Sequence, residues 1–346
     1  MPTDLSQSFR VDSAELPDEA VIFGSTLTMR ELRAKIDSAL SSDLPVLIQG
    51  ESGTGKEVIA RFLHVRSSRR EAPFVKLNCA AIPANLFERE LFGCEKGSFA
   101  GASEDRPGLV EIADGGTLFL NEIGEMSLEL QDKLLCLLRD GTYTRVGGRE
   151  KQTGRARVVC ATNVDLQEAV QSGAFREELF ICIDILSLHL SPLRDRKQDI
   201  PQLCDYFLRK LSRQFRRNMP ELSSATLELL KQWNWPGNLR ELENWIARTV
   251  ILGGDEALVV EFKRQLRPSN SSIGRQLRPN SLKDATDPAT SLVTGALILR
   301  ALQANRWNRR KAAEELKMSY RALLFKLRSV GIPQKRRSHR GPPHAH

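Results

Sequence analysis

Residues 50–57 read Gly-Glu-Ser-Gly-Thr-Gly-Lys-Glu and follow directly on the apolar run Val46-Leu47-Ile48. Glycines at this spacing let backbone N–H groups turn inward around an anion. The start of a helix adds a partial positive charge there, and Lys56 adds a full one. A strand feeding a Gly-rich turn and then a helix is the setting a phosphate-binding loop needs. The segment therefore predicts a nucleoside triphosphate held by Gly50, Glu51, Ser52, Gly53, Thr54, Gly55, Lys56 and Glu57. The position after the lysine, often Ser or Thr, is Glu57 here.

A second segment, Leu118-Phe119-Leu120-Asn121-Glu122, is an apolar strand with an acidic end. Phosphoryl transfer to water needs one group that orients the water and one that holds Mg²⁺. Glu122 stands at the water-orienting position. The magnesium position holds Asn121, which offers a carbonyl oxygen but no charge, whereas Mg²⁺ favours carboxylates. Weakened Mg²⁺ binding or slower hydrolysis is expected, with ATP binding retained through the loop and Lys56.

These residues need a scaffold. Short apolar or β-branched runs at 46–49, 74–78, 117–120, 157–161 and 183–189 read as strands, and 87–92 and 128–140 as helices. Helices between strands imply a parallel α/β sheet. From 191 onward the apolar spacing is mostly helical, as in Ile200-Leu203-Phe207. The chain divides into a polar N-terminal segment (1–20), an α/β nucleotide-binding core (21–190), a helical lid (191–263), a linker rich in Ser, Asn, Pro and Arg (264–290), a small all-α unit (291–333) and a basic tail (334–346).

The 346 residues, 41% apolar and 27% charged, suit a soluble globular protein of two or three domains. No run approaches the ~18 apolar residues of a membrane span, and residues 1–13 lack a signal-peptide core, so the expected location is cytoplasmic. The six cysteines (79, 94, 136, 160, 182 and 204) form no CxxC pair and lack metal-ligand spacing. Charge is unevenly spread. Residues 301–346 carry twelve Lys/Arg against Glu314 and Glu315, a net +10 within a chain of +8, which leaves −2 for the first 300 residues. A basic block at one end points to a polyanion partner, most often nucleic acid.

Further collinear motifs carry a specific resemblance: Leu77-Asn78-Cys79-Ala80-Ala81, Glu90-Leu91-Phe92-Gly93, Gly115-Gly116-Thr117-Leu118-Phe119-Leu120, Cys160-Ala161-Thr162-Asn163 and Trp235-Pro236-Gly237-Asn238-Leu239-Arg240-Glu241-Leu242. Together with residues 50–57 they resemble, over about 23–250, the AAA+ ATPase domain of bacterial enhancer-binding proteins, the activators of sigma-54 RNA polymerase. The resemblance implies a P-loop α/β core with a parallel sheet and helical lid. It implies a ring, commonly a hexamer, with ATP between subunits and hydrolysis driving promoter remodelling. Asn78 matches the asparagine that restrains the catalytic glutamate. Thr162 and Asn163 match the first sensor region, and Arg240 the lid arginine that reaches the phosphates. Arg176 matches the first of two interface arginines, which act in trans on the transferring phosphoryl group.

Three positions depart from that pattern. Asn121 is one. The second interface arginine falls six residues after Arg176, at Cys182, which cannot present a planar charged fork. The polymerase-contact loop, GAFTGA in the family, is Gly97-Ser98-Phe99-Ala100-Gly101-Ala102 here. Phe99 keeps an apolar contact, while Ala100 replaces the threonine and removes a hydroxyl. Two readings stand open: a sigma-54-type activator that hydrolyses ATP, or a hydrolysis-impaired DNA-binding regulator or mixed-ring subunit that uses ATP only for assembly. An unfoldase of the same superfamily would predict neither the 97–102 segment nor the basic C-terminal unit.

That unit follows helix-turn-helix logic. Leu297, Leu302, Ala312, Ala313 and Leu316 are spaced as a helical face, Ser319 suits an N-cap, and Leu323, Leu324 and Leu327 repeat as a second helix. The segments 308–314 and 319–324 resemble the two helices of a Fis-type domain. Arg309, Tyr320 and Arg321 are the expected residues at the surface of double-stranded DNA, with Lys326 and Arg328 on phosphates. The first 20 residues are too few for a receiver or sensor domain, so control is expected from another protein, from expression level or from mixed oligomers.

Overall fold

The computed structural model describes residue 11 and residues 16–98, 104–256 and 259–260. The chain divides into two compact units, 1–268 and 269–346, and every described residue lies in the first. Phe99, Ala100, Gly101 and Ala102, and the expected DNA-binding residues Arg309, Tyr320, Arg321, Lys326 and Arg328, fall outside the described residues.

Two short helices, α1 (Glu19–Phe23) and α2 (Leu27–Ala39), lead into β1 (Val46–Gln49), and α3 (Lys56–Arg66) follows the Gly-rich turn. Then come β2 (Phe74–Asn78), α4 (Ala84–Phe92), α5 (Leu109–Ile112), β3 (Thr117–Asn121) and α6 (Leu128–Asp140). A hairpin of β4 (Thr142–Thr144) and β5 (Lys151–Thr153) precedes β6 (Arg157–Thr162), α7 (Leu166–Gln171), α8 (Glu177–Ile183) and β7 (Ser187–His189). The lid holds α9 (Ile200–Phe215), α10 (Ser224–Gln232) and α11 (Asn238–Leu252).

Five strands form one parallel sheet in the order β2-β3-β6-β1-β7. The sheet is covered on both faces by helices, which is why its central strands are continuous apolar runs rather than alternating ones. All six residues of β6 are buried, as are Val46, Leu47 and Ile48 of β1. The edge strand β2 keeps Lys76 and Asn78 exposed. One core, including Leu47, Leu77, Leu120 and Cys160, lies on one face, and a second, including Ile48, Phe119, Val159 and Leu188, lies on the other. A third core, built on α9 and α11 around the fully buried Trp235, makes the lid a packed body of its own.

The register aligns the carboxyl ends of four strands. Gln49 pairs with Thr162, Asn121 with Ala161, and Asn78 with Asn121. Parallel α/β sheets place ligands outside this edge, and the motifs at 50–57, 77–81, 117–122 and 160–163 all reach it.

One element differs from expectation. The run 183–189 is a strand only over Ser187–His189, and Ile183 closes α8 instead. Leu179 and Ile183 are both fully buried four residues apart, a helical repeat. The alternation Ile183-Asp184-Ile185-Leu186 imitates a strand, but Ile185 is exposed and pairs with nothing in the sheet.

Candidate functional site

The loop after β1 is held from both sides. Gly50 N donates to Thr162 O at 3.2 Å, which ties the loop to the end of β6. Thr54 is buried and its hydroxyl donates to Glu51 O at 2.8 Å. Gly55 precedes α3 with φ 102°, and Gly53 has φ 80°. A Cβ on Gly53 would lie 2.3 Å from the Gly237 carbonyl oxygen, so only glycine fits between loop and lid.

Lys56 starts α3 and is 6% exposed. Its Nζ donates to Gly50 O at 2.7 Å and Glu51 O at 3.3 Å, and lies 3.7 Å from Glu122 Oε1. Burial pushes its pKa below the ordinary lysine value and the Arg240 charge adds to that, while Glu122 opposes both. Glu122 has φ 57°, a left-handed conformation that side chains other than glycine rarely adopt. Its Oε2 accepts from Asn163 N at 3.2 Å. The strained residue carries the candidate general base, as such outliers at reaction sites tend to do.

The expected residues lie in four places. Gly50 through Lys56, Asn121, Glu122, Thr162, Asn163 and Arg240 converge at the strand ends. Thr162 is fully buried, its Oγ1 accepting from Val164 N at 3.0 Å, and Asn121 and Glu122 border the cavity with the loop. Arg240, at the start of α11, donates from Nη1 to Ser52 Oγ at 3.1 Å. Asn78 and Glu57 sit nearby with other engagements. The Asn78 amide oxygen accepts from Ala80 N at 3.1 Å, while Glu122 is bonded to Asn163 and paired with Lys56. Glu57 Oε1 bridges Arg61 and Lys76, at 2.9 and 3.1 Å. Of the residues at 97–102, Ser98 lies against the β4–β5 hairpin, where a Cβ on Gly147 would come within 2.4 Å of Ser98 Cβ, whereas Gly97 has open space at its Cα.

Arg176 stands on another surface, at the N-cap of α8. Its side chain, 38% exposed, is forked onto Asp132, with Nε 2.5 Å from Oδ1 and Nη2 2.6 Å from Oδ2. Its backbone N donates at 2.8 Å to Oε1 of the fully buried Gln131. Cys182 is half-buried on the same helix, beside the exposed Ile181.

Loop, strand ends and lid enclose a cavity of about 430 Å³. One end is polar, with Lys56, Asn121, Glu122 and Arg240. The other is apolar, with Val21, Ile22, Leu203, Phe207 and Leu239. This volume falls in the range of small-ligand sites. A cationic, N–H-rich end beside an apolar end suits a phosphate chain joined to a flat base. Oxygen donors for a cation are few: among the described residues no three His, Cys, Asp or Glu gather as a metal site.

Sequence reading missed Arg194, Arg196 and Asn238. Arg196 is 3% exposed, lines the cavity, and donates from Nη2 to Thr54 O at 3.1 Å. Asn238 is fully buried with φ 53°. Asparagine is one of the few residues that tolerate this conformation, so its place after Pro236-Gly237 was a usable turn signal.

Comparison with known proteins decides the family. Residues 22–189 match the Sigma-54 interaction domain, 194–276 the AAA+ ATPase lid domain, and 295–329 the Fis-family bacterial regulatory proteins. The DNA-binding transcriptional regulator NtrC of Rhizobium meliloti is 38% identical over 342 residues, covering 91% of this chain and 70% of NtrC. The chain belongs to the sigma-54 interaction-domain family. The DNA-binding transcriptional activator HyfR of Escherichia coli is 40% identical over 95% of this chain, which spans 51% of HyfR, about half its length. A crystal structure of NtrX from Brucella abortus in complex with ATP matches with a TM-score of 0.66 at 29% identity, over 90% of this chain and 69% of NtrX. The sigma-54 interaction-domain fold is thus the AAA+ P-loop fold described above, here with a Fis-type sequence after the lid.

Proposed function

We propose that this chain is a transcription regulator of the sigma-54 type that binds ATP at the 50–57 loop and DNA through its Fis-type unit. We propose also that it turns ATP over slowly. The observation that carries the first part is the convergence of Lys56, Glu122 and Arg240 on one cavity, with Asn163 N bonded to the Glu122 carboxylate. Loop N–H groups and Lys56 hold the phosphates. Arg240 reaches them from the lid. Glu122 orients the attacking water and takes its proton, Asn163 N sets its direction, Asn78 stands ready to restrain it from the end of β2, and Thr162 fixes the end of β6. Mg²⁺ would be held by the phosphates and by the Asn121 carbonyl oxygen, neutralising charge on the phosphates. NtrX has been crystallised with ATP and with ADP, which supports the choice of nucleotide.

Arg176 acts on the ATP of an adjoining subunit in a ring, most simply a hexamer. Residues 97–102 contact sigma-54 RNA polymerase, with Phe99 the apolar contact. Arg309, Tyr320 and Arg321 meet DNA, with Lys326 and Arg328 on phosphates, and the site of action is the cytoplasm. The alternative, a subunit that binds ATP without turnover and serves mixed rings, is favoured by one observation. The side of α8 that should deliver two cations holds half-buried Cys182 and an Arg176 already paired with Asp132.

ATP binding and turnover measured across protein concentrations test both. Binding with turnover that rises with assembly supports the activator, and binding without turnover at any concentration supports the mixed-ring subunit. Absence of binding contradicts both readings.

A further inference from the structure

Three elements meet at the Glu51 carboxylate. Arg194, in the turn that leads into the lid, forks onto it with Nη2 2.6 Å from Oε1 and Nη1 2.8 Å from Oε2. Asn238, at the start of α11, donates from Nδ2 to Oε2 at 3.1 Å and to Ser52 O at 3.0 Å. The same Asn238 side chain accepts at Oδ1 from Leu193 N at 2.8 Å, which ties α11 back to the Arg194 turn. Leu239 N donates to Gly53 O at 3.0 Å. The lid therefore engages a carboxylate and two carbonyl oxygens of three consecutive loop residues.

This leaves the loop with a division of labour. Its acceptors at 51–53 face the lid, and N–H groups remain for an anion. Any shift of the loop peptides at 51–53 is therefore felt by the lid donors Arg194, Asn238 and Leu239. The lid cannot yield locally, because Asn238 is buried, left-handed, and bonded on both ends of its amide. A bidentate arginine–carboxylate pair also fixes direction, which a single point charge would not.

We propose that Arg194 and Asn238 are positioning residues that, through Glu51, transmit occupancy of the phosphate loop to the orientation of the lid. The inference rests on the nucleotide reading above and adds a route that does not pass through Arg240. Arg240 senses the phosphates themselves, whereas this latch senses the loop. The Glu51 carboxyl is held below the ordinary glutamate range, first by its hydrogen bonds from Arg194 and then by Asn238, so the latch is charged at neutral pH.

Backbone hydrogen exchange of the full chain, with and without ATP, tests this. In wild type, ATP is expected to slow exchange in residues 50–60 and in α11. Arg194 is 40% exposed at its side chain, so Arg194→Gln should fold normally. It is expected to keep the ATP-dependent slowing at 50–60, to lose at least half of it in α11, and to leave nucleotide-free α11 unchanged. Arg194→Lys, which restores charge without the fork, should fall between. The proposal is overturned if α11 responds to ATP in Arg194→Gln as in wild type. It is equally overturned if nucleotide-free α11 already exchanges faster in that variant, which would mark Arg194 as a structural tie only. Wild type with no slowing at 50–60 would overturn the nucleotide reading and the latch together, and the loop signal alone separates that result from the others.

Discussion

The cavity at the strand ends and the surface of α8 are built to different standards. Around the cavity, Lys56 and Thr162 are nearly or wholly buried, the loop is bonded to β6 on one side and to the lid on the other, and Glu122 is held by Asn163. At α8, Arg176 is solvent-accessible and paired with Asp132, Cys182 is half-buried, and Ile181 is exposed. A side chain that waits for its own ligand can be pre-organised by burial. One that acts on a neighbouring subunit must stay exposed and mobile, and it is easily neutralised by a nearby carboxylate. Under the function proposed above, the contrast separates a pre-organised site for holding ATP from a surface whose arginine is already engaged within its own subunit.

The comparison breaks first at Arg176. Arg176→Ala is expected to lower assembled turnover by about 10³-fold, the lower bound for loss of an arginine acting in trans, with ATP affinity unchanged; equal turnover would remove α8 from the chemistry. Lys56→Ala should weaken ATP binding by about 100-fold, the effect of about 2.7 kcal/mol for a charge-assisted phosphate contact, measured by equilibrium titration. The departure at Asn121 is sharpened by Asn121→Asp, which should lower the Mg²⁺ concentration for half-maximal turnover by about tenfold. Asp132→Asn should raise turnover only about two- to five-fold, because an exposed ion pair is worth about 0.5–1 kcal/mol. Unchanged turnover there would mean the pair does not restrain Arg176.

The buried region also sets an acid limit on stability. His64, at the end of α3, is 1% exposed, and its Nδ1 lies 2.9 Å from Thr117 Oγ1. Burial lowers its pKa from 6.5 to about 4. The unfolded chain therefore binds a proton that the folded chain refuses, so stability is lost as pH falls from about 6.5 to 4. The loss should approach ~3 kcal/mol, readable as a drop in the denaturant midpoint that His64→Gln abolishes.

Much of the cavity was legible because its chemistry dictates residue types in short, contiguous runs. Strands at 46–49 and 74–78 and the helix at 128–140 stand as the apolar spacing predicts, and β3 and β6 each extend one residue further. What escaped is non-local or brief. Arg194 and Asn238 meet Glu51 across 143 and 187 residues, a proximity that no periodicity encodes. The hairpin strands β4 and β5 have three residues each, too few to establish an alternation. Asp132 reads as an ordinary exposed helix position until α8 brings Arg176 to it.

The proposal that this chain holds ATP better than it delivers charge to a neighbour's ATP is tested most directly by Cys182→Arg, with ATP binding and turnover measured beside wild type at the same protein concentration. The account predicts equal ATP affinity and turnover at least tenfold faster in the variant. Equal turnover in the two proteins, with ATP bound by both, would contradict it.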